Sequence, residues 1–410
     1  MNDVTKLPKV KFLDKHTPPH ILTLVLFTSV GALNMNIIPP SLPALQQFFD
    51  TEYALVQLAL SAYLAMTAVL QLIVGPLSDR YGRRPVIIYS FIILIIASFV
   101  TTFATTFEMY MAGRLTQAVI VTGFVLSRAV VRDMVPLEKA ASMIGYVTMG
   151  MALVPMVGPA IGGLLQETYG WQSINYFVSG IGLAVLVLIY FDLGETNLNI
   201  SPSFGAQFKE YPELLSSRRF WGYTLTSMFA SGSYFAYLGG APYSAEHHFG
   251  LAPSTIGLYF GIIAIGYIGG NFLSGRLTQT LGIHKMMLYG SIIVNIGIVT
   301  SIMLFVLGAV HPTALFIPIA AVGFGNGMTL PSTMAGIVSV RPNLAGSASG
   351  LGGALMIGGG AVLSVLAGVL LTPNSGPLPL LYVMLFSGLM SVVTILYTNQ
   401  VEKNIANAVA

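Results

Sequence analysis

Gly75-Pro-Leu-Ser-Asp-Arg-Tyr-Gly-Arg-Arg-Pro85 is a cluster of charges between two long apolar runs, and the architecture of the chain can be worked out from it. It holds three of the chain's 18 lysine and arginine residues, whereas residues 86–101, directly after it, contain no charged side chain. Such a cluster between two runs of membrane length predicts a short loop at a bilayer surface. Its three arginines predict that this surface is cytoplasmic. The alternative is that the charges only orient the neighbouring spans.

The composition indicates that lipid is the solvent of this chain. Of its 410 residues, 8% are charged and 55% are hydrophobic, and the mean hydropathy is +0.79. A soluble chain normally carries about a quarter charged residues. The chain has no cysteine, which excludes disulfides, thiol catalysis and cysteine-bound metal. Its net charge is +3 with the basic residues in scattered loops, which argues against a nucleic-acid partner.

The spacing of apolar runs predicts an all-α membrane protein. A span needs about 20 mainly apolar residues, and twelve stretches of the chain meet this requirement. One long polar segment separates the first six from the last six, so we expect twelve transmembrane helices in two six-helix bundles. The predicted organisation is an N-terminal tail (1–20), a first bundle (21–191), a linker (192–219), a second bundle (220–398) and a C-terminal tail (399–410).

A short internal repeat supports two related halves. Leu77-Ser-Asp-Arg80 follows the second predicted span, and Leu273-Ser-Gly-Arg276 follows the eighth. A four-residue match is weak by itself, but its position after corresponding spans fits the repeats from which membrane transporters are built.

The distribution of charge predicts the orientation. With the N-terminus inside, every lysine and arginine except Arg114 falls in a cytoplasmic segment or at an adjoining span end. An excess of basic residues marks the cytoplasmic side. We therefore expect a multi-pass protein of the inner (plasma) membrane with both termini in the cytoplasm. The predicted external loops and their edges carry Asp50, Glu52, Glu108, Glu167 and Glu246.

Arg114 is the charged residue predicted to lie inside a span. It is about six residues from the external end of the fourth span, a depth of roughly 9 Å. An arginine at a helix centre costs at least about 2.5–3.5 kcal/mol, so its side chain should face protein or water. Asn36 has a similar depth in the first span, and we expect the two to form the polar centre of a cavity. The alternatives are an Arg114–Glu108 pair and ordinary interhelical hydrogen bonds of Asn36.

The charged cluster that opens the chain's third span resembles a signature of the major facilitator superfamily, G-x-L-x-D-R-x-G-R-[KR], found between the second and third helices. The resemblance implies a gating element whose acidic residue latches against a neighbouring helix in the outward-facing state. The cytoplasmic end of the fourth span, Ser127-Arg-Ala-Val-Val-Arg-Asp133, is similar to a further family stretch. The residues assigned to gating on this basis are Asp79, Arg80, Arg83, Arg84 and Asp133.

Two further motifs resemble the same superfamily. Arg114-x-x-Gln117 is similar to its fourth-helix motif, R-x-x-Q-G, which implies a role in proton coupling or in holding polar groups. Residues 154–163 are similar to the fifth-helix motif G-x-x-x-G-P-x-x-G-G, which is associated with exporters. This implies a bent, flexible helix, and the alternative is ordinary close packing of glycines. The residues assigned to bending are Pro155, Gly158, Pro159, Gly162 and Gly163.

Asn36-Ile-Ile-Pro-Pro-Ser-Leu-Pro43 is similar to D-M-Y-L-P-A-L-P in the Bcr/CflA drug-resistance branch. There an aspartate that accepts a proton is expected where this chain has Asn36, and an amide cannot titrate. No Asp or Glu lies in the middle of a predicted span. Tyr234 and Tyr237 are three residues apart and should share a helix face. They and Asn326 are expected to line the cavity, with an interfacial tyrosine belt as the alternative.

The resemblance implies a transporter and not an enzyme. It implies export of amphipathic drugs or related small molecules by proton antiport with alternating access. Its partners are the substrate, protons and the lipid bilayer, in a monomer without a cofactor or metal. Because Asn36 cannot titrate, the alternative of a carrier for a nucleoside-like or carboxylate metabolite without proton coupling stays open. The residues assigned to substrate binding are Asn36, Arg114, Gln117, Tyr234, Tyr237 and Asn326.

Overall fold

The computed structural model describes residues 8–135, 143, 147, 154, 157–197, 210–341, 344–372 and 375–409, which fold into helices without a β-strand. The helices of the first half are α1 (Ile21–Asn36), α2 (Leu42–Phe49), α3 (Tyr53–Val56), α4 (Leu58–Tyr81), α5 (Arg83–Thr102), α6 (Phe107–Gln117), α7 (Thr122–Met134) and α8 (Gln172–Asp192), and residues 157–169 are also helical. Those of the second half are α9 (Tyr211–Leu215), α10 (Arg218–Phe249), α11 (Pro253–Val306), α12 (Thr313–Ser339), α13 (Ala345–Leu370) and α14 (Leu378–Val409).

Nine helical segments of the described residues are long and apolar enough to cross a membrane. One of them, α11, has 54 residues and contains the eighth and ninth predicted spans, so ten of the twelve predicted spans are accounted for. The seventh is the 32-residue α10, which is long enough but rich in serine, threonine and tyrosine. Part of the fifth lies outside the described residues. The architecture is the predicted twelve-helix fold in two bundles.

Helix packing follows the two halves. In the first, α1 packs against α7 and α8, and α5 packs against α6 and α8. In the second, α10 packs against α12, α13 and α14, and α11 packs against α12 and α14. The halves meet where α4 runs along α13. Residues contributed by both halves therefore face each other along this interface.

The same backbone break occurs in both halves. Between α4 and α5, Gly82 has φ 93° and ψ 155°, and within α11 Gly282 has φ 78° and ψ 161°. Residues with a Cβ rarely adopt such positive φ angles, so glycine is favoured at these two positions. The expected loop after the second span is thus reduced to a single residue, because helical hydrogen bonding continues through the charged residues to Tyr81. Both halves thus contain a glycine break after the repeated stretch, although Gly282 follows Leu273 by four more residues than Gly82 follows Leu77.

Both predicted tails are partly structured. α14 continues to Val409, so the C-terminal tail predicted to begin at residue 399 is helical. Residues 11–20 are held against the end of α8 by hydrogen bonds to Asp192 and Gly194. The apolar runs located the spans, but they did not show how far the helices extend past the membrane.

Candidate functional site

Arg114 is wholly buried and is held by neutral acceptors. Its Nε donates to the carbonyl of Ala59 (3.1 Å), and its Nη1 donates to Asn34 Oδ1 (3.0 Å) and Gln117 Oε1 (2.8 Å). Nη2 donates to the Asn34 carbonyl (2.9 Å), and the guanidinium lies 4.0 Å from the centre of the Tyr63 ring. Four oxygens and a ring face stabilise the charge, so among the described residues no carboxylate is needed to compensate it.

A second layer of side chains fixes these acceptors. Gln117 Nε2 donates to Ser98 Oγ (3.0 Å) and Asn175 Oδ1 (3.2 Å). The Asn34 amide donates to the Tyr63 hydroxyl (3.2 Å). The network joins α1, α4, α5, α6 and α8, all in the first half. The arginine that sequence analysis placed at a cavity is therefore inside one bundle, where it connects five helices.

Asn36 occupies a different place, at the interface between the halves. Its Oδ1 accepts a hydrogen bond from the Tyr234 hydroxyl of α10 (2.8 Å), and its amide donates to the Ala32 carbonyl (2.8 Å). Arg114 and Asn36 were expected to form one polar centre. Among the described residues, Arg114 makes its contacts with α1 at Asn34, and Asn36 instead contacts Tyr234. Residues two apart point to different sides of a helix, so one faces the bundle and the other faces the opposite half.

The other expected cavity residues lie in the second half. Tyr237 is buried, and the centre of its ring lies 4.7 Å from that of Phe260 and 6.3 Å from that of Phe316. Tyr234 and Tyr237 were expected to share a helix face, and Tyr234 is the one that donates a hydrogen bond to Asn36 in the first half. Asn326 is 3% exposed, and its Oδ1 has no hydrogen-bond partner. The place of Asn326 among the substrate-binding residues stays a prediction.

The contacts of α3 and the start of α4 with the second half close the side that carries the predicted external loops. The Tyr53 hydroxyl donates to the Gly239 carbonyl (2.7 Å), and the Gln57 amide donates to the Ser364 carbonyl. A Cβ at Gly368 would lie 1.3 Å from Gln57 Oε1, so the glutamine fits only because that position is glycine. Sequence analysis missed both residues, although two polar side chains four apart at the start of an apolar run were a usable signal.

Glycines of the fifth-helix motif bring the halves into backbone contact on the same side. A Cβ at Gly163 would lie 2.2 Å from the carbonyl oxygen of Pro253, and a Cβ at Gly257 would lie 2.4 Å from that of Pro159. Gly162 makes a similar approach to α1. Glycines permit this approach because they have no side chain. The alternative of close packing thus describes the contacts at these positions.

The remaining bending residues are less informative. Gly158 lies beside Asn36, because a Cβ there would be 3.5 Å from the Asn36 Cβ. Pro155 lies outside the described residues. The fifth-helix motif therefore borders the Asn36–Tyr234 contact from the first half.

Two carboxylates add contacts between the halves at the same side. Glu246 Oε1 accepts a hydrogen bond from Gln47 Nε2 (3.1 Å). Glu167 Oε2 accepts from the backbone N–H of Ser254 at the start of α11 (3.2 Å), where the helix dipole favours a negative charge. Both were placed at external edges by sequence analysis, without a partner.

Four of the five expected gating residues lie in one charge cluster at the opposite side, and they are Asp79, Arg83, Arg84 and Asp133. Arg83 bridges Asp79 (Nη1–Oδ1, 2.5 Å) and Asp133 (Nε–Oδ2, 3.2 Å). Arg83 is buried, whereas the Asp79 side chain is 41% exposed. In this structure the Asp79 carboxylate thus contacts its own half. Arg80 lies over the Tyr81 ring, 5.5 Å from its centre.

Glu195 is a member of this cluster that sequence analysis missed. Its carboxylate accepts hydrogen bonds from the backbone N–H groups of Arg83 (2.9 Å) and Arg84 (3.1 Å) at the start of α5. It lies so close to Gly82 that a Cβ there would be 2.4 Å from Glu195 Oε2. Arg84 also donates to the Tyr190 carbonyl (3.0 Å). Glu195 lies in the polar linker, where nothing in the neighbouring sequence indicates these contacts.

Tyr234→Phe tests the contact between the halves. Loss of one hydrogen bond weakens it by about 0.5–1.5 kcal/mol, so we expect the predicted external side to open roughly two- to tenfold more often. Ser364→Cys, in an otherwise cysteine-free chain, reports opening through its rate of labelling by a bulky thiol reagent. Tyr237→Phe is the matched control, and an equal increase in labelling in both variants would contradict the assignment.

The fold and this interface define a polytopic α-helical membrane protein built from two bundles that meet face to face. The family model described as Major Facilitator Superfamily matches residues 24–364, with a second match over 224–409. The chain therefore belongs to the major facilitator superfamily and is a membrane transporter.

Named relatives and a solved structure agree with this membership. The chain is 32% identical over 347 residues to the "Uncharacterized MFS-type transporter YdgK" of Bacillus subtilis, which covers 83% of this chain and 86% of the relative. It is 25% identical over 376 residues to the "Bicyclomycin resistance protein homolog" of Haemophilus influenzae, covering 89% and 92%. The crystal structure of a D-xylose–proton symporter matches with a TM-score of 0.72 at 14% identity, over 92% of this chain and 96% of that one. At this identity the symporter supports the fold alone.

Proposed function

We propose that this transporter exports amphipathic small molecules, drugs among them, by alternating access. The observation that carries the proposal is the interface between the halves, which is closed on one side by single hydrogen bonds and glycine contacts. Each hydrogen bond contributes about 0.5–1.5 kcal/mol, so the interface can open at a modest cost. The name of the Haemophilus influenzae relative, a bicyclomycin resistance protein homolog, supports export of a drug. The proposal describes a monomer with both termini in the cytoplasm.

The polar groups at the interface favour uncharged substrates. Tyr234 and Asn36 offer a hydroxyl and an amide there, and the charge of Arg114 is enclosed by the first bundle. A buried charged substrate needs either a charged partner or several converging hydrogen bonds, as Arg114 has in the first bundle, whereas the contact between the halves offers one hydroxyl and one amide. Arg114 is a poor site for a carboxylate substrate, because four of its five N–H donors are already engaged by Ala59, Asn34 and Gln117.

Proton antiport is the proposed coupling, with the proton accepted elsewhere than at Asn36. Glu246 and Glu167 each accept a hydrogen bond from the opposite half, so protonation of either would weaken a contact that closes the interface. A second candidate is a carrier without proton coupling, which is favoured by the amide at Asn36 and by its hydrogen bond to Tyr234.

An export assay tests the function and its substrate class. Cells that express the protein are expected to accumulate less chloramphenicol, an uncharged probe, than cells without it, and to show a smaller difference for the cation ethidium. Equal accumulation of chloramphenicol in both cell populations would contradict export. A larger effect on ethidium would contradict the preference for uncharged substrates.

Proton coupling needs a separate measurement. In inverted vesicles with a proton gradient, addition of the exported probe should release protons from the lumen if the protein is an antiporter. If the probe is transported but its addition leaves the proton gradient unchanged, the protein is a carrier without proton coupling. If the probe does release protons, Glu246→Gln and Glu167→Gln show whether these carboxylates accept the proton.

A further inference from the structure

Residues 8–20, which we call the N-terminal arm, present an exposed surface that is both basic and apolar. Val10, Phe12 and Leu13 are 44%, 51% and 54% exposed. Lysines alternate with them in the sequence, and they too are exposed. The lysines are Lys9, Lys11 and Lys15.

The arm is held in place by one buried carboxylate. Asp192 Oδ1 accepts from the backbone N–H of Leu13 (2.6 Å), and Oδ2 accepts from the N–H of His20 (2.8 Å) and the Thr23 hydroxyl (2.6 Å). The N–H of Gly194 donates to the carbonyl of Thr17 (3.0 Å). These contacts bind the middle and the C-terminal end of the arm to the end of α8 and to the start of α1.

The position of the arm relates it to the lipid-facing surface. Tyr190 and Phe191, in the last turn of the membrane-spanning helix α8, are half exposed. Lys15 Nζ lies 6.0 Å from the centre of the Tyr190 ring, and the Arg84 guanidinium lies 5.6 Å from it. Tyrosines and basic residues together at the end of a span are typical of the membrane–water interface. The arm's apolar side chains therefore begin where the lipid-facing surface of α8 ends.

We propose that the N-terminal arm is an interfacial anchor that binds anionic phospholipids. Val10, Phe12 and Leu13 enter the boundary between headgroups and acyl chains, and the lysines contact phosphate-bearing headgroups. The three lysines outnumber the one acid of the arm, Asp14, so the arm keeps a net positive charge. Asp192 is engaged by the arm's backbone and Thr23, and Asp14 Oδ1 accepts from the N–H of His16 (3.0 Å).

Fluorescence quenching on the full-length protein tests the proposal. Because the chain has no cysteine, Phe12→Cys gives a single site for an environment-sensitive fluorophore. The labelled protein is reconstituted in phosphatidylcholine vesicles with and without phosphatidylglycerol. We expect quenching by doxyl-labelled lipid and protection from aqueous iodide. Addition of phosphatidylglycerol should increase both effects.

A charge variant provides the control. Replacing Lys9, Lys11 and Lys15 with glutamine should remove the dependence on phosphatidylglycerol, and replacing them with arginine should keep it. Efficient quenching by iodide in both lipids would overturn the proposal by showing the arm in water. Protection from both quenchers would overturn it by showing a protein cover. Lipid quenching that depends on neither phosphatidylglycerol nor the lysines would overturn the recognition of anionic lipid.

Discussion

Arg114→Met is expected to abolish transport and to lower the thermal stability of the substrate-free protein. The substitution leaves the carbonyls of Ala59 and Asn34 and the side-chain oxygens of Asn34 and Gln117 without their donor. An unsatisfied buried acceptor costs about 1–3 kcal/mol, and at least the side-chain oxygens of Asn34 and Gln117 become unsatisfied at once. Five helices of the first bundle lose their common contact. The measurements are the melting temperature without substrate and the initial rate of export.

The stability measurement distinguishes a positioning role from substrate binding. A residue that only contacts substrate would leave the melting temperature of the empty protein unchanged. Arg114→Lys should fail to restore transport, because one ammonium cannot reproduce the planar fork that reaches both α1 and α4. Arg276→Met, which removes an exposed guanidinium beside Phe272, is the matched control. Wild-type stability and export in Arg114→Met would show that the network is dispensable.

The sequence could predict that Arg114 avoids lipid, but it could not predict the partners of its side chain. The cost of a charge in hydrocarbon requires the side chain to face protein or water, whatever the fold. The distance of a residue from the end of its span gives its depth along the helix axis. It does not give the side of the helix to which the side chain points. Asn34 and Asn36 differ by two residues, or about 200° of rotation. Depth therefore suggested Asn36, whereas the rotation of α1 brings Asn34 to the arginine.

The twelve-helix fold was accessible because it depends on local properties. Apolar length, scattered charge and the charged cluster before Pro85 are each visible in a short stretch of sequence. The closure of the interface is not local. Tyr53 and Gln57 donate to the backbone carbonyls of Gly239 and Ser364, in the other half of the chain. Every residue has a backbone carbonyl, so no sequence motif can identify which carbonyl accepts such a hydrogen bond.

The fifth-helix glycines illustrate an ambiguity of a different kind. A glycine in a span permits both bending and close approach, and the sequence pattern is the same for each. The structure shows close approach between Gly163 and Pro253 and between Gly257 and Pro159. A side chain added at Gly163 distinguishes the two roles, because it would push the Pro253 backbone away if the glycine serves close approach.

Gly163→Val is accordingly expected to prevent closure of the predicted external side and to stop export. Its Cβ would lie 2.2 Å from the Pro253 oxygen, and the obstacle is backbone that cannot rotate away. A destabilisation of about 3 kcal/mol would shift the closed-to-open ratio more than 100-fold. Ser364→Cys, buried in the closed interface, should then be labelled rapidly by a bulky thiol reagent added outside cells.

Gly180→Val is the matched control, because a Cβ at Gly180 meets nothing within 4 Å. It should leave both export and the slow labelling of Ser364→Cys unchanged. The decisive comparison is between the two variants at equal expression and equal melting temperature. If Gly163→Val exports normally with Ser364→Cys still protected, the glycine contact does not hold the halves together. If export stops while Ser364→Cys stays protected, the glycine serves to bend the helix, because the closed state has formed and only the movement out of it is lost.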